Sequence, residues 1–564
     1  MKIDQITLSI LVNNLYWVTE EMNQYLCQAA FSTNIKVRRD CSCAIYTPEG
    51  DMVAQGEFIP VHLGTMSLTL KELLKEYPAE NMKEGDVYIN NDPYHMGSHL
   101  WDVMLFKPVF SKGKLVAFVG ALAHHVDIGG SPVYYGMRTV FEEGLRIPPI
   151  KLYDQGKIEE NIMKILLNNV RTPYEVKGDI AAQNAALYRG EIRLKEIAEK
   201  MGEDTLTEYM NAILDYSEKG MRGIIEATPD GVAEFEDCLE HDGIEEHISK
   251  IKVKLEIKGD EIFVDFAGTD PAAAGSHNSP WALTCAGVYY AIKAVLGTNI
   301  PTNSGAYRPI NLIRGEESIV DARFPHACNM CTTNPVQRIA DVVIGAFSKI
   351  VPDKTCACDG NWLPGRFMGV DPRNGHYSAY VETYAAGRGA KHDDDGADAH
   401  QTHMTNTSNA PIEVIELEHP LKVEKYSLLP DSGGAGKFRG GVGITKEITT
   451  LTEMDITVTP MRMKIKPYGV DGGEGGANDY CAIELPDGTK PTNATGVPKG
   501  TKVVIRTSGG GGWGNPEERE FSRIEKDVLD GYVTLQAAKE IYKVVIDPKT
   551  CKVDEEATKV LRAS

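Results

Sequence analysis

The chain has 564 residues, 42% hydrophobic and 25% charged, so it can bury a large core and we expect about two to four domains. Its formal charge of −21, from 59 basic and 80 acidic side chains, disfavours nucleic acid as a partner because no Lys/Arg cluster offsets the acids. No apolar run approaches the roughly eighteen residues that a membrane span needs, so we expect no membrane partner.

The first thirty residues have the pattern of a helix rather than of a signal peptide. A single Lys precedes an apolar stretch that Asn13, Asn14, Glu20 and Glu21 soon interrupt. The eleven cysteines are an odd number in a long chain, which argues against a secreted disulfide scaffold and favours reduced thiols. We therefore expect a cytoplasmic protein.

The N-terminal part mixes helical and strand patterns. Apolar spacing predicts helices over residues 5–31 and 65–76, with a short strand pair in "SCAIYTPEGDMVAQ" between them. Three strand-like runs follow, "GDVYIN", "DVMLFKPVF" and "KLVAFVGALAH", and residues 159–227 are mostly helical in pattern. This combination predicts an α/β domain that contains a β-hairpin.

Residue 230 begins a second region, where a strand pair turns at Gly259-Asp260 and helices follow over 281–296 and 335–349. Beyond residue 416, short strands alternate with Gly-rich turns and end in a helical tail. We predict a mixed, multidomain α+β chain with three parts. They are an N-terminal metal-binding α/β domain (1–229), a central α/β domain (230–415) and a β-rich region with a C-terminal helical tail (416–564).

The stretch "NDPYHMGSHLWD" carries His99 and Asp102 just before a predicted hairpin. If residues 111–113 form a three-residue loop, Asp102 opposes Leu122, and His124 lies on the same face, one diagonal step of roughly 7–8 Å away. A shift of one residue would separate them. Two nitrogens and one oxygen from His99, Asp102 and His124 leave a position open for water, as in catalytic metal sites.

Other polar residues accompany this set, and each taken singly is more often an ordinary loop or strand-end residue. His125 is expected on the opposite face of the strand, and Asp127 could orient a ligand. Asp40 and His62 are further candidates whose distance the sequence does not define. Asp92 and His95 are assigned to shaping the loop. Taken together, the two histidines and the acids favour a metal site over a merely polar loop.

Several other motifs are weaker candidates for a site. Cys328-x-x-Cys331 with Cys356-x-Cys358 departs from the regular spacing of a zinc ribbon, so buried thiols are favoured. "DSGGAGKF" does not satisfy the P-loop pattern. "KHDDDGADAHQTH" could bind a cation, although a solvated loop is the default. Arg308 and Arg338 could hold an anion or pair with the many acids.

Many motifs in one order resemble the hydantoinase B/oxoprolinase family over nearly the whole chain. They include "RRDCSCAIYTPEGDMVAQ", "IPVHLGTM", "NDPYHMGSHLWDV", "GALAHHVDIGG", "EEGLRIPP", "HMTNTSNAPIE", "PDSGGAGKFRGGVG" and "TSGGGGWGNP". The resemblance implies that His99, Asp102 and His124 are metal ligands and that Asp40 is an additional group. It also implies that an actin-like ATPase subunit of the hydantoinase A type uses ATP to phosphorylate the carbonyl oxygen of a small-molecule substrate.

We therefore expect the metal-bearing subunit of a hetero-oligomeric, ATP-dependent hydrolase that opens a hydantoin, lactam or oxoproline ring. Zinc, manganese or iron suits the ligand set. Metal-activated water would attack the phosphorylated amide, with His125, Asp127 or Asp40 handling protons or orienting ligands. The alternative is a subunit of an ATP-dependent ketone carboxylase of the acetone or acetophenone type, and a third hypothesis is a non-catalytic scaffold. The substrate-binding residues are unknown at this point.

Overall fold

The computed structural model describes residues 3–56, 58–133, 135–297, 299–491 and 494–563, without the side chain of Leu63. Among the described residues, no helix combines the length and apolar character that a membrane span requires. The helices are α1 (Gln5–Ala29), α2 (Thr33–Lys36), α3 (Pro60–Glu76), α4 (Glu160–Asn168), α5 (Pro173–Met201), α6 (Glu203–Glu226), α7 (Trp281–Leu296), α8 (Ser304–Tyr307), α9 (Pro335–Ser348), α10 (Ile412–Glu418), α11 (Phe521–Leu529), α12 (Leu535–Glu540) and α13 (Glu555–Ala563).

The strands form one seven-stranded and three four-stranded sheets, which agrees with the predicted mixed α and β architecture. They are β1 (Cys41–Tyr46), β2 (Met52–Gln55), β3 (Val87–Asn90), β4 (Asp102–Ser111), β5 (Lys114–His124), β6 (Ile150–Asp154), β7 (Lys157–Ile158), β8 (Gly231–His241), β9 (Glu246–Lys258), β10 (Glu261–Asp265), β11 (Ile310–Ile313), β12 (Leu363–Val370), β13 (Tyr377–Tyr384), β14 (Leu421–Leu428), β15 (Ile444–Thr450), β16 (Met454–Val458), β17 (Tyr480–Glu484), β18 (Ala494–Val497) and β19 (Lys502–Arg506).

The seven-stranded sheet, in the order β2-β1-β5-β4-β3-β6-β7, is covered on both faces in its central strands. Side chains such as Val103 and Leu105 pack towards α1 and α5, while their neighbours Met104 and Phe106 pack towards α3. Successive residues of a strand point to opposite faces, so a strand buried on both sides is apolar throughout. This explains the continuous apolar runs in the sequence.

The β4–β5 hairpin has a different register from the predicted one. Its loop is only Lys112-Gly113, both with positive φ (48° and 80°), and a bulge interrupts the pairing between Val109 and Phe110. The shorter loop and the bulge each move the register by one residue, so Asp102 pairs directly with His124 instead of Leu122. A shift of two residues preserves the face, which is why the predicted proximity holds despite the wrong register.

The central region follows the predicted order closely. Strands β9 and β10 pair from Lys258 and Glu261 across the Gly259-Asp260 turn, in a sheet of order β11-β10-β9-β8. The predicted helices are α7 and α9, and α9 packs against β8 and β9. Gly64 on α3 meets α7 so closely that an added Cβ would lie 2.4 Å from the Ala286 Cβ, which ties this region to the N-terminal one.

The β-rich part begins earlier in the chain than residue 416. Strands β13, β12, β16 and β18 form one sheet in that order, while β14, β15, β19 and β17 form the other. The Gly-rich segments interlock between these sheets: a Cβ on Gly441 would lie 2.0 Å from the Ala397 carbonyl oxygen, and one on Gly510 would lie 2.0 Å from that of Arg388. Only glycine allows such backbone contacts, because any side chain would collide with the neighbouring main chain.

A buried ion pair joins the two β-rich sheets. Lys446 on β15 donates to Glu382 on β13 at 2.6 Å, and each side chain is 1% exposed. The Lys446 ammonium also lies 5.4 Å and 4.9 Å from the ring centres of Tyr384 and Tyr426. Removing one partner would leave the other charge buried and unpaired.

We predict that Lys446→Met lowers the free energy of unfolding by about 3–5 kcal/mol. The double variant Lys446→Met with Glu382→Leu should lose less, because neither charge remains. Chemical denaturation followed by circular dichroism measures both. A double variant less stable than the single one would contradict the explanation.

Candidate metal centre

The hairpin ends bring together three of the predicted ligands. Ligand atoms of His99, Asp102 and His124 all lie within 4.8 Å of one another. His99 Nε2 is 3.5 Å from Asp102 Oδ1, and both atoms are buried without a hydrogen bond to any described residue. Buried polar atoms without partners are costly, so an acceptor nitrogen and a carboxylate oxygen left this way fit a bound cation. The donor set of two imidazoles and one carboxylate is one that divalent transition metals accept.

The loop that delivers His99 is held by its own side chains. Asp92 accepts a hydrogen bond from the Tyr94 amide at 2.9 Å, and Asn91 donates to the Leu100 carbonyl at 2.7 Å. Met96 takes the left-handed conformation, with φ of 60°. His95 points away, 39% exposed, with Nδ1 3.0 Å from Asp92 Oδ2. Asp92 and His95 thus shape the loop, as expected, and the ring of His99 turns inward.

Asp40 and His62 lie beside the same group and line the same pocket. The Asp40 carbonyl accepts the His124 amide at 3.0 Å, which attaches the start of β1 to the end of β5. His62, in the first turn of α3, has Nε2 3.5 Å from Asp102 Oδ1 and 3.7 Å from Asp40 Oδ1. Its Nδ1 faces the Ser42 hydroxyl at 3.2 Å. The structure therefore places beside the three predicted ligands a carboxylate and an imidazole that the sequence could not position.

The charges of the group are strongly coupled. Burial lowers the pKa of His99, but the adjacent Asp102 carboxylate outweighs it and raises that pKa to about 9. Burial raises the pKa of Asp102, yet His99 and His62 together hold it well below its usual range. Burial, opposed by Asp40, lowers the pKa of His124 to about 4. At neutral pH the metal-free group thus contains an ionised Asp102, a protonated His99 and a neutral His124.

The buried Glu143 carboxylate helps to orient His99 through the backbone of residues 328–329. His99 Nδ1 donates to the Asn329 carbonyl at 2.9 Å, which directs Nε2 towards Asp102. The amides of Cys328 and Asn329 both donate to Glu143 Oε1 at 2.6 Å. Burial raises the pKa of Glu143 to about 8, against the two amides, which favour its charged form. Glu143 therefore holds this loop in place, and the Asn329 carbonyl of the loop fixes the orientation of the His99 ring.

Asn34 and Arg38 connect the centre to the β-rich part. Asn34 donates to the His124 carbonyl at 2.8 Å and to Asp40 Oδ2 at 3.3 Å. Its amide oxygen accepts a hydrogen bond from Arg38, which is itself buried and donates to the Val381 carbonyl at 3.0 Å and to Thr383 at 2.8 Å. The orientation of Asn34 thus depends on contacts nearly 350 residues away in the chain.

The pocket above the centre is small, with a volume of about 50 Å³. Segments far apart in the chain line it: residues of the centre itself, Asn329 and Met330 after the central sheet, and Trp362, Thr383 and Thr405 on or near β12 and β13. The centre is consequently a product of the complete fold.

The structure places His125 and Asp127 outside this pocket. His125 is buried and its Nε2 lies 3.0 Å from Gln183 on α5, on the opposite face of the sheet as expected. Burial lowers the pKa of His125. Asp127 pairs with Arg171 at 2.7 Å and accepts the Gly129 amide at 3.1 Å. Neither side chain contacts the predicted ligands, so the geometry gives no support to a direct catalytic role for either.

The weaker candidate motifs make other contacts. Cys328 lies by Glu143, whereas Cys358 contacts Arg462 at 3.2 Å, so the cysteine pairs do not form one zinc cluster. Arg308 pairs with Asp215 and Glu218, at 2.9 and 3.0 Å. Arg338 is buried beside Asp237 and Asp341.

One member of the acid- and histidine-rich loop belongs to a second buried cluster. His403 lies between Asp341, 3.5 Å from its Nε2, and Asp359, 3.4 Å from its Nδ1. The Tyr290 hydroxyl is 3.0 Å from the same Nδ1. The sequence signalled His403 only as part of a polar run, because its partners come from distant segments.

With this geometry established, comparison with known proteins identifies the class. The chain belongs to the hydantoinase B/oxoprolinase family, whose model matches residues 4–516. It is 32% identical to the B subunit of a putative D-/L-hydantoinase of Pseudomonas sp. (strain NS671), over 100% of this chain and 98% of that protein.

Relatives of known structure share the fold. The beta subunit of the caprolactamase of Pseudomonas jessenii is 32% identical over 100% of this chain and 99% of that protein. The crystal structure of the ATP-dependent caprolactamase from the same organism matches with a TM-score of 0.91 at 30% identity, covering 100% of both chains. Nucleotide-free acetone carboxylase matches with a TM-score of 0.89, over 99% of this chain and 82% of that chain, but at 19% identity it demonstrates a common fold only.

The protonation state of His99 predicts how metal affinity changes with pH. A histidine ligand must be neutral, so binding below pH 9 has to displace the His99 proton, while Asp102 and His124 are ready to bind. We expect affinity for zinc to rise roughly tenfold per pH unit between about pH 6.5 and 8.5 and to level off above about pH 9. Titration against a competing chelator at several pH values measures this. A flat profile over that range would contradict it.

Replacing Glu143 should weaken metal binding without touching a ligand. Glu143→Ala leaves two backbone amides without their acceptor and releases the carbonyl that orients His99, so we expect a loss of about 10- to 100-fold in affinity. Glu143→Gln keeps one acceptor oxygen and should lose less. The same chelator titration compares the two variants, and equal affinity of Glu143→Ala and the unaltered protein would rule out the orienting role.

Proposed function

We propose that this chain is the metal-bearing subunit of an ATP-dependent cyclic amidase, which hydrolyses a hydantoin, a lactam or an oxoproline-type ring. The observation that carries the proposal is the pair of buried atoms, His99 Nε2 and Asp102 Oδ1, that lie beside His124 without a hydrogen bond to any described residue. Membership of the hydantoinase B/oxoprolinase family supports the substrate class. Two relatives, named as the B subunit of a hydantoinase and the beta subunit of a caprolactamase, support action as part of a larger assembly.

In this proposal the ATP-using step belongs to a partner, an actin-like ATPase of the hydantoinase A type, in a hetero-oligomer. The partner phosphorylates the carbonyl oxygen of the ring amide, which makes a poor electrophile reactive. The eleven free cysteines fit the reducing cytoplasm, where we propose that the complex works.

His99, Asp102 and His124 would hold one divalent ion, with zinc, manganese and iron all compatible with two nitrogens and one oxygen. Such an ion supplies Lewis acidity and a water of lowered pKa. The tautomer of His99 is set through Asn329, so its Nε2 is the atom that would hold the ion. Asp102 accepts a hydrogen bond from Ser98 through its other oxygen, which leaves Oδ1 for the site.

Water attack on the phosphorylated carbonyl carbon needs a base, and ring opening needs a proton on the leaving nitrogen. Cleavage of the C–N bond leaves an acyl phosphate, which a second water hydrolyses to the carboxylate and inorganic phosphate. Asp40 and His62 are suited to this because both line the pocket and His62 Nε2 lies between the carboxylates of Asp40 and Asp102. A proton taken by either group can be shared between them over 3.7 Å with a small movement. His125 and Asp127 keep their structural partners, Gln183 and Arg171.

The deciding experiment uses the chain co-purified with its ATPase partner. ATP with hydantoins or lactams should give ring-opened product and ADP, whereas ATP with ketones and bicarbonate should give no carboxylated product. Carboxylation without hydrolysis would reject the proposal in favour of a ketone carboxylase. Elemental analysis of the same preparation identifies the metal.

We expect Asp102→Asn to lower metal content and to reduce amide hydrolysis by more than about a hundredfold, because the loss of a ligand should exceed that of an orienting group. His392→Ala is the matched control: it removes an exposed imidazole that does not line the pocket, and the variant should retain both metal and turnover. Unchanged hydrolysis by an Asp102→Asn variant that has lost its metal would show that the metal is not catalytic and would favour the non-catalytic scaffold.

A further inference from the structure

A second group of side chains with metal-ligating atoms lies apart from the His99 centre. Ligand atoms of Cys356, Asp359 and His403 all lie within 4.8 Å of one another. Asp359 and His403 are buried, and Cys356 is partly exposed. None of these three residues lines the pocket of the His99 centre. A thiolate, a carboxylate and an imidazole are each ordinary ligands of zinc in proteins.

The backbone of residues 356–359 holds two of these side chains in place. Cys356 and Asp359 are three residues apart, a spacing that pairs of ligands have in many zinc sites. The Ala357 amide donates to the Ala390 carbonyl at 2.8 Å, and the Gly389 amide donates to Asp359 Oδ1 at 2.8 Å. Gly389 is packed so closely that an added Cβ would lie 1.8 Å from the Ala357 carbonyl oxygen. The segment is therefore fixed by main-chain contacts, and Asp359 is bound to it through Oδ1.

The His403 ring faces a carboxylate on each side. Its Nε2 lies 3.5 Å from Asp341 Oδ1, and its Nδ1 lies 3.4 Å from Asp359 Oδ2. Both carboxylate oxygens are buried and have no hydrogen bond to any described residue, which is costly for an acceptor. A neutral imidazole carries a proton on only one nitrogen. One of the two carboxylates therefore faces a nitrogen lone pair, unless a cation lies between them.

A metal ion between His403 Nδ1 and Asp359 Oδ2 fits the observed geometry. Two atoms bound about 2.0–2.2 Å from a tetrahedral zinc lie roughly 3.3–3.5 Å apart, and the separation here is 3.4 Å. The imidazole proton then stays on Nε2 and faces Asp341, as at most histidine ligands of metals. A doubly protonated His403 would also satisfy both acids, but it gives no role to the Cys356 sulfur beside them.

The charged neighbours of the cluster favour an ion that binds sulfur. Arg388 Nε lies 3.3 Å from Asp359 Oδ2, and Arg338 pairs with Asp341, so each acid has its charge balanced. The Cys356 thiolate is then the ligand that offsets the charge of a bound divalent ion, and thiolate ligands select zinc over magnesium, calcium or manganese.

The Tyr290 hydroxyl lies 3.0 Å from His403 Nδ1. It is placed to hold a water as the fourth ligand of a tetrahedral ion.

We propose that Cys356, Asp359 and His403 form a second metal site, which takes a zinc-like divalent ion through one sulfur, one oxygen and one nitrogen. The site joins the segment before β12 to the segment between β13 and α10. The His403 carbonyl accepts Trp362 Nε1 at 3.0 Å, and Trp362 lines the pocket of the His99 centre, so the second ion would support one wall of that pocket. The second site does not depend on the proposed function, because neither catalysis nor a partner enters into it.

The test uses the full chain, stripped of metal with a chelator and reloaded with cobalt(II) as a substitute for zinc. Cobalt bound to a thiolate shows a charge-transfer band in the near ultraviolet, which the sulfur-free His99 centre cannot produce. We expect this band in the unaltered protein and in Asp102→Asn, which alters only the His99 centre. Cys356→Ser should abolish the band. Cys551→Ser, which removes a partly exposed thiol near the C-terminus, is the matched control and should keep it.

Zinc content gives an independent measurement. After loading and removal of unbound ions, Cys356→Ser should hold one zinc fewer than the unaltered chain, while Cys551→Ser should hold the same number. If Cys356→Ser does not fold, as judged by circular dichroism, Asp359→Asn serves instead. It keeps an acceptor for the Gly389 amide but loses the charged ligand, and it should weaken cobalt binding at this site more than about tenfold.

Three results would overturn the second site. The first is the absence of a thiolate band in the unaltered protein, which would leave His403 as a protonated imidazole between two acids. The second is a band and a zinc content that are unchanged in Cys356→Ser, or in Asp359→Asn where that variant is used. The third is loss of the band in Asp102→Asn, which would assign the sulfur to the His99 centre.

Discussion

The pairing of Asp102 with His124 across the β4–β5 hairpin is the constraint on which the candidate site depends. The strands are buried on both faces, between α1 and α5 on one side and α3 on the other. A slip of one residue would exchange the two apolar faces and move one ligand away from the other, so packing and ligand geometry enforce the same register. The bulge between Val109 and Phe110 is part of this register and not a defect in it.

Two kinds of buried polar group surround that pairing. The atoms that face the site, His99 Nε2 and Asp102 Oδ1, have no hydrogen bond to a described residue, while the groups that orient them do. Leaving a buried acceptor unmatched opposes folding, and the cost is offset when a cation is bound. Glu143 and Arg38 hold the groups that orient the centre, and they connect it to segments distant in the chain. Rigid support of the ligands is the usual requirement for a functional metal site.

The small pocket at the centre gathers the carboxylates of Asp40 and Asp102 and three imidazoles, a set of side chains suited to a cation and to proton transfer.

The sequence alone determined the local elements and the triplet His99, Asp102 and His124. Apolar periodicity and the Gly259-Asp260 turn predicted the helices and hairpins, and the face of a strand residue depends only on whether its position is odd or even, so the wrong hairpin register still gave the right face. Tertiary structure alone decided the remainder: the contributions of His62, Asn34 and Glu143, and the pairing of His125 and Asp127 with Gln183 and Arg171. These contacts join segments far apart in the chain, and no local pattern encodes the distance between such segments, because it is set by how the sheets and helices pack.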